Sequence, residues 1–267
     1  MSTILLTGAT DGIGLETASH LADLGHRLIV HGRSQAKLDR ATERLAAETP
    51  SSVVGAELAD LSHLDQVEAL AVAVADQPID VIINNAGVYR TDHPITGDGL
   101  DIRFVVNTIA PYLLTRRLLP SLPAEGRIVN LSSAAQAPVD LDALLGRHRV
   151  PDMDAYAQSK LAITMWTKHL ADELGPDGPA VIAVNPGSFL ATKMVKEGFG
   201  MAGSDVGIGV DVLTRAALDD SFAQATGRYF DNDARRFAVP HPDAIDAAKN
   251  AAVVEAIESV ISRVAAG

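Results

Sequence analysis

Cysteine is absent from the 267-residue chain. That excludes disulfides, thiolate metal ligands and a cysteine nucleophile, and it leaves the redox compartment unread. Basic residues are few beside the acids, 22 Lys and Arg against 34 Asp and Glu, giving a net charge of −12. A surface of that sign repels phosphate backbones and anionic lipid, so neither nucleic acid nor a membrane is an expected partner. No apolar run approaches the ~20 residues of a membrane span. The first strand begins at Thr3, which leaves no room for a signal peptide, and a cytoplasmic protein is expected. Linkers, repeats and low-complexity tracts are missing as well, so the expectation is a single domain over residues 1–267. What the chain does have, 47% hydrophobic and 21% charged residues, is enough for a sizeable globular core.

Short apolar runs at 2–7, 27–31, 52–58, 79–83, 127–131, 180–184 and 227–230 read as strands, most of them buried on both faces. Helical patterns lie between and after them at 15–24, 34–48, 64–75, 100–119, through Tyr156 to 174, 210–219 and 242–264. Strict alternation of this kind predicts an α/β fold: one doubly wound parallel sheet with helices on both faces and right-handed crossovers. The residues with chemical character fall just after strands, where open α/β sheets bind ligands.

The first such place is the turn bearing Gly8, Gly12 and Gly14. Its glycines let backbone approach a pyrophosphate, the helix that follows offers free N–H groups, and Asp11 is placed to cap that helix. After the second strand come Arg33 and Ser34. An acid there would accept from a ribose 2′-hydroxyl, but the nearest is Asp39; a guanidinium suits a 2′-phosphate, with Lys37 close by. Asp60-Leu61 follows the third strand, and Asp60 either contacts an adenine or begins a turn. Asn84-Asn85-Ala86-Gly87 follows the fourth, where small residues let a ligand lie against backbone. Asn107 sits among apolar neighbours in the long helical stretch, either as a hydrogen-bonded structural residue or at a bend that holds a water. Tyr156 and Lys160, four apart, share a helix face. A cation beside a phenol lowers its pKa toward working pH, and such a tyrosine can protonate a carbonyl oxygen or deprotonate an alcohol. Beyond the sixth strand, Asn185-Pro186-Gly187 opens a glycine-rich stretch at about 188–209. With Phe189, Leu190, Met194, Val195, Phe199 and Met201 it is too apolar for water and is expected to act as a lid over an apolar ligand.

Taken together, these motifs resemble the short-chain dehydrogenase/reductase family over essentially the whole length. Thr7-Gly8-Ala9-Thr10-Asp11-Gly12-Ile13-Gly14 resembles its T-G-x-x-x-G-x-G cofactor turn, and Asn84-Asn85-Ala86-Gly87 its N-N-A-G signature. Asn107 matches the asparagine of its long fourth helix; Ser133, Tyr156 and Lys160 match its serine and its Y-x-x-x-K pair; Pro186-Gly187 with Thr192 resembles its P-G segment. Ser133 is chosen over Ser132 because the family places the catalytic serine second. The long interval between Ser133 and Tyr156, S-K-L-A after the tyrosine and G-R-Y-F at 227–230 resemble the retinol-dehydrogenase-like branch. One departure is Asp11, where many NADP-dependent members carry Arg or Lys.

The resemblance implies a Rossmann fold and hydride transfer between a nicotinamide cofactor, NADP(H) before NAD(H), and the carbonyl or alcohol group of an apolar ketone, aldehyde or alcohol. Tyr156 would move the proton. Lys160 would lower its pKa and hold the cofactor ribose, Ser133 would donate to the substrate oxygen, and Asn107 would hold a water in a proton path. Gly8, Thr10, Asp11, Gly12, Ile13, Gly14, Arg33, Ser34, Asp60, Leu61, Asn85, Ala86, Gly87, Tyr156, Lys160, Pro186, Gly187 and Thr192 would line the cofactor. No metal is expected, nor any charged clamp for a substrate carboxylate or phosphate. Two other classes share the fold: a nucleotide-sensing regulator without chemistry, which the intact Ser133, Tyr156 and Lys160 argue against, and a nucleotide-sugar epimerase or dehydratase, which usually has a longer C-terminal part than the roughly eighty residues after Asn185. Finally, residues 134–154 lengthen the interval before Tyr156. The apolar spacing at Leu141, Leu144 and Leu145 predicts a short helix packed beside the Tyr156 helix, obstructing a helix-on-helix interface and giving a monomer or weak homodimer.

Overall fold

The computed structural model describes residues 1–188, 190 and 205–266. Its centre is one sheet of eight strands in the order β3-β2-β1-β4-β5-β6-β7-β8. The strands are β1 (Thr3–Leu6), β2 (Arg27–Gly32), β3 (Val53–Leu58), β4 (Val81–Asn84), β5 (Arg127–Leu131), β6 (Ala180–Asn185), β7 (Tyr229–Asp231) and β8 (Arg236–Ala238). All pairings are parallel except the last, β7 with β8, which is antiparallel. The edge strand β8 was not expected from the sequence: three residues, R-F-A, are too few to show a period.

The helices are α1 (Gly12–Asp23), α2 (Gln35–Glu48), α3 (Leu64–Val74), α4 (Ile102–Phe104), α5 (Ala110–Leu118), α6 (Leu141–Leu144), α7 (Asp152–Leu174), α8 (Gly207–Leu218), α9 (Asp220–Ala223) and α10 (Ala247–Ala265). Alternation along the strands divides the core. Ile4, Leu6, Val81, Ile83, Val129 and Ile182 face one layer, which takes its helical side chains from α1, α2, α8 and α9. Leu5, Ile82, Ile128 and Val181 face the other, built from α3, α5, α7 and α10. The strands β1, β4, β5 and β6 are buried at every position and mostly apolar because both faces are covered.

The helix expected over 100–119 is not one regular helix. Asp101 caps α4 by accepting from the Arg103 N–H, and a π-turn over Val105–Ile109 joins α4 to α5. That turn adds a residue to the helical period at Asn107, as π-bulges at functional sites commonly do. Within the insert, α6 forms where the apolar spacing put it. Asp140 caps it, Leu144 is fully buried, and Leu141 and Leu145 are half-buried against the core. The insert ties to α7 through Asp140 N–H to Gln158 Oε1 at 3.0 Å, and to α10 through Arg263 to the Leu145 carbonyl at 3.0 Å.

Candidate active site

The strand order reverses between β1 and β4, and the crevice at their carboxyl ends is where a doubly wound sheet takes its ligand. A cavity of about 760 Å³ opens there. Gly8, Thr10, Asp11, Gly12, Ile13, Arg33, Ser34, Asp60, Leu61, Asn85, Ala86, Gly87, Ser133, Tyr156, Lys160, Pro186 and Gly187 all line it. Among the residues named from sequence, Gly14 and Asn107 stand behind the lining, and Thr192 lies outside the described residues, as does most of the expected lid.

The glycine turn is shaped for close backbone approach. Gly8 and Gly12 have φ of +67° and +53°. A Cβ on Gly14 would stand 2.2 Å from the Gly8 carbonyl oxygen, and one on Gly8 would stand 2.9 Å from the Ala86 Cα. Either would force apart the two loops that form the floor of the crevice. Asn85 holds these loops together, its Nδ2 donating to the Thr7 carbonyl at 2.8 Å and the Gly8 carbonyl at 3.1 Å. The Asn85 Oδ1 is buried with no hydrogen-bond partner among the described residues. Asp11 caps α1 as expected, accepting from Gly12 N–H at 2.9 Å. An orphaned acceptor, a glycine-walled cleft and a capped helix N-terminus together fit a dinucleotide pyrophosphate with its adjoining ribose.

His31, at the end of β2, braces this floor and was not singled out in the sequence. Its Nδ1 accepts from the Gly8 N–H at 3.2 Å and its Nε2 donates to the Ala59 carbonyl at 2.9 Å, which sets the tautomer. Burial pushes its pKa below the ordinary value, against smaller upward effects of the Ala59 bond and Asp60. Arg33 is exposed at the cavity, next to Ser34. Lys37 pairs with Asp11 across 2.6 Å, so the acid that departs from the NADP-type pattern is neutralised within the site. Asp60 turns its Oδ1 onto the Ser62 N–H and hydroxyl at 3.0 and 2.7 Å, the turn-forming alternative, while still lining the cavity.

The reacting end lies on β5 and α7. Tyr156 is hydrogen-bonded to Ser133, and its ring meets that of Tyr89 edge-on at 5.1 Å. Part of Tyr156 faces the cavity, yet its phenol is shielded from bulk water. That shielding pushes its pKa up, Tyr89 adds to the rise, and the Ser133 bond opposes it. The lowering by Lys160 expected from the sequence is not what the geometry gives. Lys160 Nζ stands 5.8 Å from the Tyr156 ring centroid and donates to the Leu131 carbonyl at 2.8 Å. Burial brings the Lys160 pKa down to about 8. The phenol is therefore held protonated while the ammonium is made easy to deprotonate.

Both serines line the cavity, but their bonds differ. Ser132 is buried and bonds the Lys160 carbonyl at 2.9 Å and the Thr164 hydroxyl at 2.7 Å, fastening α7 to β5. Ser133 faces the cavity and Tyr156. The Asn107 side chain is committed to protein. Its Oδ1 accepts from Val88 N–H at 2.8 Å, and its Nδ2 donates to the Val88 carbonyl at 2.9 Å and the Ser159 hydroxyl at 3.0 Å. The bend expected there exists, but both amide hydrogens are used in bracing the loop after β4 against α7. Beyond β6, Asp233 accepts from the Ser188 N–H at 2.9 Å and hydroxyl at 2.6 Å, and Asn232 donates to the Pro186 carbonyl at 2.9 Å.

A phenol, a hydroxyl and an ammonium at one end of a crevice whose other end is a glycine turn suit proton transfer to a substrate held beside a dinucleotide. Comparison with known proteins agrees: a family model described as short chain dehydrogenase matches residues 2–203. The chain belongs to the short-chain dehydrogenase family. It is an NAD(P)-dependent oxidoreductase by that membership, and the branch expected from the sequence is also met. Retinol dehydrogenase 13 of Homo sapiens is 33% identical over 267 residues, covering 91% of this chain and 80% of that one. Polyprenol dehydrogenase of Homo sapiens is 34% identical over 214 residues, covering 72% of this chain and 65% of that one. Among solved structures, an uncharacterised protein from Mycobacterium paratuberculosis is similar with a TM-score of 0.82 at 27% identity, covering 98% of this chain and 94% of that one. A short chain dehydrogenase of Escherichia coli CFT073, solved with NADPH, gives 0.70 at 28% identity, covering 86% and 96%. Around its reacting end, this short-chain dehydrogenase adds Tyr89, Gln136 and Tyr229 to the residues found from sequence. Of these, only Tyr229 lies in a sequence motif, the G-R-Y-F stretch at 227–230. No helix among the described residues is long and apolar enough to cross a membrane.

Proposed function

We propose that this enzyme reduces the carbonyl group of an apolar aldehyde or ketone with NADP(H), and oxidises the corresponding alcohol in reverse. The observation that carries the reading is the Tyr156 phenol, kept protonated by its surroundings and bonded to Ser133 in the cavity of the glycine turn. A protonated phenol is a donor, which suits reduction: Tyr156 gives its proton to the oxygen on which negative charge develops, and Ser133 hydrogen-bonds the same oxygen. Lys160, buried and easily deprotonated, would resupply the phenol, and its ammonium would favour the phenolate once that forms. A nicotinamide cofactor bound in the crevice supplies the hydride.

Preference for NADP(H) rests on Arg33, exposed on the cavity wall after β2, with Asp11 neutralised by Lys37. The complexes of solved relatives with NADPH support it. An apolar substrate is supported by Tyr89, which meets the Tyr156 ring, by Met153 one helical turn before Tyr156 on the cavity wall, and by the names of the retinol and polyprenol relatives. A regulator without chemistry would have no use for this buried phenol, hydroxyl and ammonium. The test is Tyr156→Phe. It is expected to lower kcat by on the order of 10²-fold or more while the cofactor Kd stays within a few-fold; wild-type kcat at every pH would exclude the mechanism.

A further inference from the structure

The Ser133 backbone carries an unusual load. Its carbonyl oxygen accepts from the Tyr229 hydroxyl at 3.1 Å and from Gln136 Nε2 at 2.9 Å, while its side-chain oxygen accepts from the Ala135 N–H at 3.1 Å. Tyr229 belongs to the G-R-Y-F stretch at 227–230, which the proposed reaction leaves without a role. It stands on β7, and β6 lies between β7 and β5. Strands are about 4.8 Å apart, so only a long side chain carries a hydroxyl across the intervening strand to the end of β5. Tyr229 is 6% exposed.

We propose that Tyr229 is a positioning residue for the reaction: by holding the Ser133 carbonyl it fixes the Ser133 hydroxyl against Tyr156. Rotation of the Ser133 peptide would swing the serine side chain, and a bond on its carbonyl oxygen opposes that rotation. Gln136 is the second clamp on the same oxygen. Its amide also lies within hydrogen-bonding reach of the Tyr229 hydroxyl, and its Oε1 is buried with no partner of its own among the described residues, so the two side chains act as one unit. Burial, with Asp231 and Asp233 behind it, pushes the Tyr229 phenol well above its ordinary pKa, so it remains a donor throughout the working range.

This inference rests on the catalytic reading of Ser133 and Tyr156. A bland alternative is that Tyr229 merely satisfies its own hydroxyl on the nearest carbonyl. A double-mutant cycle separates the two. The readings are kcat for NADPH-dependent reduction of the best-turned-over member of a panel of apolar aldehydes, its pH profile, and the NADPH Kd, with Tyr229→Phe, Ser133→Ala and the pair. Tyr229→Phe keeps the ring and its packing. It is expected to lower kcat about tenfold, as small misplacements of catalytic groups do, with the NADPH Kd within twofold. The basic limb of the profile should move to higher pH, because the Ser133 bond that lowers the Tyr156 pKa is loosened. In the Ser133→Ala background, Tyr229→Phe should change kcat by less than twofold. Wild-type kcat and profile in Tyr229→Phe, a matching loss of NADPH affinity, or full additivity with Ser133→Ala would each overturn the proposal. Ser133→Ala with wild-type turnover would remove the reading beneath it, an outcome visible in the single mutant alone.

Discussion

Single side chains at the glycine turn set how this enzyme responds to pH and to its cofactor. Arg33→Ala is expected to weaken NADP(H) roughly ten- to a hundredfold and NAD(H) hardly at all, the range for one lost charge-assisted contact of ~1.5–3 kcal/mol. Kd for both cofactors with wild type and mutant decides it, and equal wild-type affinities would count against the assignment. His31 makes a second prediction. Its pKa is lowered in the fold, so the unfolded chain binds the extra proton first; stability is full above about 6.5 and declines as pH falls below that value. Protonation of the folded protein would also cost the bond that Nδ1 accepts from Gly8, so the cofactor affinity should fall only at lower pH than the onset of the stability loss, where the folded imidazole itself titrates. Thermal midpoints and cofactor Kd from pH 8 to pH 5 should show this for wild type and a flatter profile for His31→Gln. The slope will not vanish, because the half-buried His26 is depressed in the same direction. At this scale the sequence was informative where spacing reports chemistry, as in Tyr156 with Lys160. It was silent where a contact joins distant strands, as with His31 bracing Gly8 or Tyr229 reaching Ser133.

Elements were legible to the degree that burial imposes a period. β1, β4, β5 and β6 are buried at every position and read directly as apolar runs. The break between α4 and α5 was not legible, since a π-turn changes the period by one residue and leaves the apolar count untouched. The short α6 did show itself, because Leu141, Leu144 and Leu145 must share a face to leave water. Leu144 has no exposed surface. Leu144→Ala is therefore expected to cost about 2–5 kcal/mol, read from urea unfolding with an unchanged m-value. A cost below ~0.5 kcal/mol would show that the insert is a surface loop after all.

For the molecule as a whole, the face that α5 and α7 offer is already taken. Residues of α10 pack in the same core layer as Trp166 and Leu170 of α7. The Tyr112 hydroxyl donates to Glu258 at 2.5 Å, and Tyr112 meets Trp166 edge-on at 5.6 Å. Among the described residues, the large apolar side chains that remain exposed include Leu58 on β3, Val72 on α3 and Val239 just beyond β8. Scattered apolar residues of this kind do not make an interface. A monomer is the expected state by light scattering at micromolar concentration, and a stable tetramer built on α7 would refute the occlusion. Truncation before Ala247 should uncover this face and give association or aggregation.

The pairing of Lys37 with Asp11 has a further consequence, because both side chains stand in water, 41% and 56% exposed, while Lys160 and Ser132 do not. Exposed charges are screened within about 8 Å at physiological ionic strength, and buried ones far less. Added salt should therefore loosen the grip of Arg33 on a 2′-phosphate and narrow the gap between the two cofactors. Turnover at saturating cofactor should hardly change. On that reading the enzyme would have a wet end that listens to its medium and a dry end that is deaf to it: ionic strength would weight the choice of cofactor, but not the rate at saturation.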